Sequence, residues 1–302
     1  MIEKEKNELN SLIKLITKRV IERLTGNEKI INSVDPTEPC SVDFSDCNAC
    51  GFCINRRPED INKLVNAGAE RISSGPGCLK PQEQIANIID HTLLKPDATQ
   101  SELQITCDEA KKWNFASVCV NPSNISFVAK QLKSSTVKPI AVVGFPLGAS
   151  TTSSKAFEAR SAIRDGAREI DMVINIGALK SKDYATVWKD ICRVTDISKP
   201  YPVKVILETS NLNIEEKIIA CALSKAGGAS FVKTSTGFGS GGATIQDVEL
   251  MRKIVGPEIG VKASGGVNTE EDVRNMMKAG ANRIGASASV SIVTGKNVNS
   301  NY

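Results

Sequence analysis

Eight short runs rich in apolar and β-branched residues recur between residues 88 and 287, each followed by a helix-like stretch. They read IIDHTLL (88–94), ASVCVNP (116–122), IAVVGFP (140–146), EIDMVIN (169–175), VKVILET (203–209), SFVKTST (230–236), GVKASGG (260–266) and NRIGAS (282–287). Strands that alternate with helices run parallel, because each helix returns the chain to the same end of the sheet. Eight such units over about 205 residues predict a closed (β/α)8 barrel of the TIM type. A doubly wound open sheet is the alternative, but no Gly-x-Gly-x-x-Gly opens a helix after an early strand. A Gly-Ala echo at 166, 228 and 280 leads from helix into strand, and it recurs at 68.

The expected organisation is an α/β barrel at 85–293 with an N-terminal helical and cysteine-rich extension and a flexible tail at 294–302. Of 302 residues 41% are hydrophobic, enough for a sizeable core, and the net charge is only +4. That balance mildly favours small anions, and with aromatics at 4% it offers no base-stacking platform, so no nucleic-acid partner is expected. No run approaches the roughly 18 apolar residues of a membrane span. MIEKEKNELN is charged and lacks a signal-peptide core, so a cytoplasmic protein with reduced cysteines is expected.

The chemistry concentrates in the later strands. Three ionisable residues are read as facing inward: Asp171 in the fourth strand, Lys233 in the sixth and Lys262 in the seventh. A buried salt bridge between Asp171 and one lysine is the plain reading. The pair of lysines points further, to a Schiff-base nucleophile, Lys233, with Lys262 as its activator and Asp171 as proton shuttle. An amine attacks a carbonyl only when unprotonated, and at an ordinary pKa of about 10.4 roughly 0.04% of it is neutral at pH 7. Burial and a second ammonium both push the pKa down. A value near 7.5 would make about a quarter neutral, equivalent to about 4 kcal/mol against the charged form.

Glycine-rich loops follow the last three strands: GFGSGG (237–242), SGGV (264–267) and GAS (285–287). Loops there bind phosphate in many barrels, and Gly265, Gly266 and Ser287 are the candidates, with Gly237 beside them. Tight turns alone are the competing explanation. Thr92 is a candidate cavity-lining residue, with Asp90 beside it, and the hydroxyls of TST (234–236), Thr236 among them, are expected around the imine. The single histidine, His91, reads as structural. Cys119 either faces the site or fills an apolar gap.

IDHTLL, VCVNP, GFPLG, EIDMVINIG, VKVILET, FVKTSTGF, KASGGV and RIGAS together resemble the deoxyribose-phosphate aldolases, in that family's order and across residues 85–293. The resemblance implies a class I aldolase that reversibly cleaves 2-deoxy-D-ribose 5-phosphate to acetaldehyde and D-glyceraldehyde 3-phosphate, with no metal in catalysis. It implies that Lys233 forms the imine, that Asp171 and Lys262 relay protons, and that Gly265, Gly266 and Ser287 hold the phosphate. Tyr302 stands where some members carry a terminal tyrosine that assists proton transfer. A homo-oligomer is expected. Two other readings stay open: a Schiff-base aldolase for another phosphorylated sugar, and a non-catalytic redox or scaffold protein on the same barrel.

The first 80 residues depart from the basic family pattern. Cys47, Cys50 and Cys53 have C-x2-C-x2-C spacing, with Cys40 or Cys78 as a fourth ligand, which suits an iron–sulfur cluster or zinc; unliganded thiols are the alternative. Residues 7–24 have the period of an amphipathic helix, within a segment at 1–30 that ends in a linker. That helix either packs on the barrel or another subunit, or serves as a tag that docks on a bacterial microcompartment shell, to which the resemblance of such tags points.

Overall fold

The computed structural model describes residues 85–295. The candidate cysteine ligands Cys40, Cys47, Cys50, Cys53 and Cys78, the helix at 7–24, the GAERI echo at 68 and Tyr302 lie outside the described residues.

All eight expected strands form: β1 (Ile89–Leu93), β2 (Ser117–Val120), β3 (Lys138–Val143), β4 (Glu169–Val173), β5 (Val203–Ile206), β6 (Phe231–Lys233), β7 (Gly260–Ser264) and β8 (Arg283–Ala286). Each pairs in parallel with the next, and β8 returns to β1, closing the barrel. The open-sheet alternative is thereby excluded. Most strands stop two or three residues before the apolar runs do, and the ends of the last three runs line a cavity at the C-terminal side of the barrel.

Helices surround the barrel: α1 (Gln100–Trp113), α2 (Ile125–Gln131), α3 (Thr152–Arg164), α4 (Ile176–Lys180), α5 (Tyr184–Ser198), α6 (Ile214–Ala226), α7 (Ile245–Val255), α8 (Glu270–Lys278) and α9 (Ser289–Thr294). Local sequence starts several of them. Thr99 and Glu102 form a capping box at α1, Asn213 and Glu216 at α6, and Thr269 and Asp272 at α8. These caps satisfy amide donors that the first turn leaves without partners. The Gly-Ala echo closes helices: Gly166, Gly228 and Gly280 all have positive φ, where glycine has no Cβ penalty.

Strand alternation divides the core in two. Val118, Val120, Ala141, Val143, Ile170, Met172, Val205, Val232, Val261, Ala263 and Ile284 face outward and are buried under the helices. Burying such a side chain contributes roughly 1.5–3 kcal/mol, so this layer carries the fold. The inward positions are free for other uses. On β2 and β3 they are apolar: Cys119, Ile140 and Val142 pack with Leu94 and Phe145 as a separate inner cluster. On β1 and β4 to β8 they are largely charged. Phe231 closes the lower side, with Gly260 opposite it, where a Cβ would lie 2.1 Å from the ring.

His91 points outward from β1 between Ser289 (Nδ1 to Oγ, 3.0 Å) and Glu109 (Nε2 to Oε2, 2.8 Å), with its ring against Phe115. It is the structural residue the sequence suggests.

Candidate active site

Lys233 ends β6 and Lys262 is the middle residue of β7; their Cα positions are direct register partners. Asp171 reaches between them from β4. Its Oδ2 lies 2.9 Å from Lys233 Nζ and 2.8 Å from Lys262 Nζ. The three candidates therefore meet at one carboxylate oxygen.

The interior is more highly charged than the three expected residues imply. The interior holds four cations, Lys204, Lys233, Lys262 and Arg283, against three carboxylates, Asp90, Glu169 and Asp171. Lys204 Nζ sits 2.9 Å from Asp171 Oδ1 and also bonds Glu169. Lys262 Nζ is 2.6 Å from Asp90 Oδ2, and Arg283 is 2.7 Å from Asp90 Oδ1. Ser117 donates to Asp90 Oδ1 at 2.6 Å. The missed residues had a signal: each sits an even number of positions from another inward residue of its strand, as Glu169 and Asp171 do on β4.

Counting charges shows that the cluster holds one surplus proton. With every lysine protonated the cluster carries one net positive charge, and with one lysine neutral it balances. Lys233 is that lysine. Burial lowers its pKa, Asp171 pulls it back up, Lys262 adds to the lowering, and the outcome lies below the ordinary lysine value. Burial also disfavours the charged form of Lys262, but Asp171 and Asp90 overcome it and raise that pKa. Lys204 is likewise raised, by Asp171 and Glu169 against burial. Burial alone would raise Asp171; Lys204, Lys233 and Lys262 together hold it well below the usual carboxylate range. So Lys262 is a standing cation, Asp171 a standing anion, and Lys233 the group poised to be neutral.

Above this cluster a cavity of about 370 Å³ opens at the C-terminal ends of the strands. Lys233 forms its floor. Thr92, Thr236, Gly237, Gly265, Gly266 and Ser287 all line it, as the sequence suggests, together with Lys95, Phe238, Ser264 and Asn268. Asp171 and Lys262 lie beneath it and are fully buried. Gly237, Gly265 and Gly266 have positive φ, and a Cβ on Gly237 or Gly266 would meet nothing within 4 Å. The backbone there is bare toward the cavity, which lets a ligand approach main-chain amides. Lys95, missed in the sequence, adds a cation paired with Glu102 at 2.5 Å.

Two of the three TST hydroxyls are committed elsewhere, while Ser235 Oγ is buried without a hydrogen-bond partner. Thr234 Oγ1 donates to Ser264 O and accepts from Ser264 N, lacing β6 to β7. Thr236 Oγ1 donates to Glu208 and accepts from Phe238 N. These two hydroxyls help fix the loop at the strand ends, and Thr236 also lines the cavity. Cys119 is fully buried in the inner apolar cluster, and burial pushes its thiol up to about 11.

Gly285 shows how tightly the cluster is built. A Cβ there would lie 2.9 Å from Lys262 Cε and 3.0 Å from Ser264 Cβ. Gly285→Ala should therefore displace the Lys262 side chain. The expected result is a folded protein with kcat lower by about 10- to 100-fold, checked by steady-state kinetics beside circular dichroism.

Comparison with known proteins now adds the lineage. The family model described as DeoC/LacD family aldolase matches residues 85–300. The chain belongs to this aldolase family. A deoxyribose-phosphate aldolase of Clostridium perfringens is 56% identical over 222 residues, covering 73% of this chain and 99% of the relative. Deoxyribose-phosphate aldolase 1 of Bacillus licheniformis is 58% identical over 221 residues, covering 73% and 99%. Among solved structures, the tetrameric deoxyribose phosphate aldolase of Aeropyrum pernix superposes with a TM-score of 0.67 at 29% identity, covering 77% of this chain and 96% of that one. The aldolases thus match the barrel almost from end to end of their own length. Among the described residues no group of His, Cys, Asp or Glu could hold a metal ion, and no helix is long and apolar enough to cross a membrane.

Proposed function

We infer that this chain catalyses the reversible aldol cleavage of 2-deoxy-D-ribose 5-phosphate to acetaldehyde and D-glyceraldehyde 3-phosphate through a Schiff base on Lys233. One observation carries the reading: a lysine with a lowered pKa forms the floor of a glycine-rimmed cavity and shares one carboxylate oxygen with a second, permanently charged lysine.

The neutral Lys233 amine attacks C1 of the open-chain sugar. Loss of water from the carbinolamine leaves an iminium at C1. A base takes the proton of the C3 hydroxyl, the C2–C3 bond breaks, and its electron pair moves to the iminium nitrogen. D-glyceraldehyde 3-phosphate departs and an enamine stays on Lys233. Protonation of the enamine at C2 and addition of water release acetaldehyde and restore the amine. The iminium is the electron sink, so the carbon–carbon step calls for no metal.

Lys262 and Asp171 serve the proton movements. Lys262 holds a proton under all ordinary conditions, and Asp171 Oδ2 bridges it to the reacting nitrogen. Asp171 takes that proton only in transit, since its neighbours keep it ionised. Lys204, Arg283, Asp90 and Glu169 hold these groups in place from below. Gly237, Gly265, Gly266 and Ser287 cradle the phosphate, with Lys95 supplying positive charge at the mouth. The apolar wall of Leu94, Cys119, Ile140, Val142 and Phe145 gives the two-carbon fragment a dry side. The tetrameric Aeropyrum pernix relative supports assembly of several copies of this chain.

The experiment is a coupled assay for glyceraldehyde 3-phosphate release, together with borohydride reduction during turnover. Reduction should fix the donor fragment on the peptide carrying Lys233. Label on any other lysine, or absence of triose phosphate, would overturn the reading.

A further inference from the structure

Glu208 follows β5 and takes no part in the charge cluster. Three features set it apart. Its backbone is left-handed, with φ 56° and ψ 63°, a conformation that favours glycine. Its side chain is only 3% exposed. Its carboxylate faces the glycine-rich loop after β6: Oε2 accepts from Thr236 N at 3.1 Å and from the Thr236 hydroxyl. Oε1 is buried with no hydrogen-bond partner, and a Cβ on Gly239 would lie 3.0 Å from it.

These features have a common geometric meaning. The backbone ladder between β5 and β6 continues past the strands through Leu207 N to Lys233 O (2.9 Å) and Thr209 N to Thr234 O (3.0 Å). There it ends. Ser264 Oγ holds the next carbonyl, Ser235 O, at 2.6 Å. The residue after that, Thr236, is held by Glu208. Thr236 Oγ1 then accepts from Phe238 N at 3.1 Å, so the grip passes along the loop. Gly237 and Phe238 line the cavity, and the exposed Phe238 ring meets Phe145 edge-on at 5.4 Å. The left-handed turn at Glu208 is what aims a long carboxylate back at Thr236. A strained, buried acid that bonds only the loop is poorly explained by packing.

We propose that Glu208 is a positioning residue that sets the Thr236–Gly239 loop for the phosphorylated end of the substrate. The inference rests on the aldolase reading above. Lys233 is fixed by the strand ladder before the loop begins, so Glu208 acts on substrate binding and not on imine formation. Loss of such binding appears in KM more than in kcat.

Two substitutions test it. Glu208→Gly removes the carboxylate while its backbone accepts the left-handed turn without strain. KM for 2-deoxyribose 5-phosphate should rise at least about tenfold, with kcat within about threefold of the unmutated enzyme. Borohydride trapping of acetaldehyde, which carries no phosphate, should proceed at the unmutated rate. Glu208→Gln keeps an acceptor oxygen and should restore KM to within about threefold. An unchanged KM in Glu208→Gly, loss of trapping together with KM, or a glutamine variant as impaired as the glycine one would overturn the proposal. Should Glu208→Gly not fold, Gly239→Ala decides: its new Cβ presses on Oε1 and should raise KM about threefold or more with trapping intact, and an unchanged KM there overturns the proposal. Failure of the aldolase reading is seen separately, as an unmutated chain that traps no acetaldehyde.

Discussion

Lys233→Met should abolish borohydride trapping, lower kcat by on the order of 10⁴-fold or more, and at the same time raise the melting temperature. The loss follows from removing the nucleophile. The gain in stability follows from linkage. The folded-state pKa of Lys233 is below its unfolded value, so between those two values the unfolded chain binds more protons at this site than the folded one. Holding Lys233 in place therefore costs stability below the unfolded pKa, and that cost shrinks as pH rises toward it. A methionine of similar length removes the cost. It also leaves three cations facing three carboxylates, a balanced set. An increase of about 2–4 °C corresponds to roughly 1 kcal/mol for a domain of this size. Differential scanning calorimetry at pH 7 checks the sign; a variant that melts several degrees lower would contradict the charge count.

Lys262→Met should do the opposite to stability. With Lys233 neutral, Asp171 and Asp90 would lose a shared cation, and the cluster would hold three carboxylates against Lys204 and Arg283. An uncompensated buried charge costs about 3–5 kcal/mol. The cheapest relief is for Lys233 to keep its proton beside Asp171. Its pKa then rises, and each unit removes about tenfold of the neutral amine at pH 7. In the unmutated enzyme kcat/KM should rise with pH through the lowered Lys233 pKa, because the deprotonated amine is the reactive form. In Lys262→Met that rise should move to higher pH, with kcat/KM at pH 7 lower by about 10²–10⁴-fold and partial recovery toward pH 10. The pH–rate profiles of the two proteins make the comparison. A rise at the same pH in both would show that Lys262 does not govern the nucleophile.

The two lysines, adjacent on neighbouring strands, are thus expected to shift stability in opposite directions. Residue type and burial do not separate them. Partners do: Lys262 touches two carboxylates, Asp90 and Asp171, whereas Lys233 touches only Asp171 among the carboxylates of the cluster. A buried ion network is in general weak evidence for stability, and one with a surplus cation is better understood as a device for keeping an amine neutral.

Much of this was legible in the sequence. Strand and helix periods are local, and eight repeats leave few ways to close a sheet, so the barrel could be read from the chain. Lys233, Asp171 and Lys262 stood out because charged side chains in apolar strands are rare. The glycine loops marked the rim of the cavity because each follows one of the last three strands. Lys204, Arg283 and Glu169 are less legible, although strand alternation places them inward, because each sits near a strand's start, where a charge usually reaches solvent. Glu208 gave no local signal: VKVILET does not show that its glutamate takes a left-handed turn.

The sequence by itself determined the strand count, the parallel order and the three candidate residues Lys233, Lys262 and Asp171, since these depend on periodicity and residue type along the chain. Tertiary structure alone decided who shares protons with whom. Asp171 and Lys262 are 91 residues apart, and Asp90 and Arg283 are 193 apart, yet each pair lies within 3 Å. Those distances are set by barrel closure and register, and they fix which lysine is charged and which is free to react.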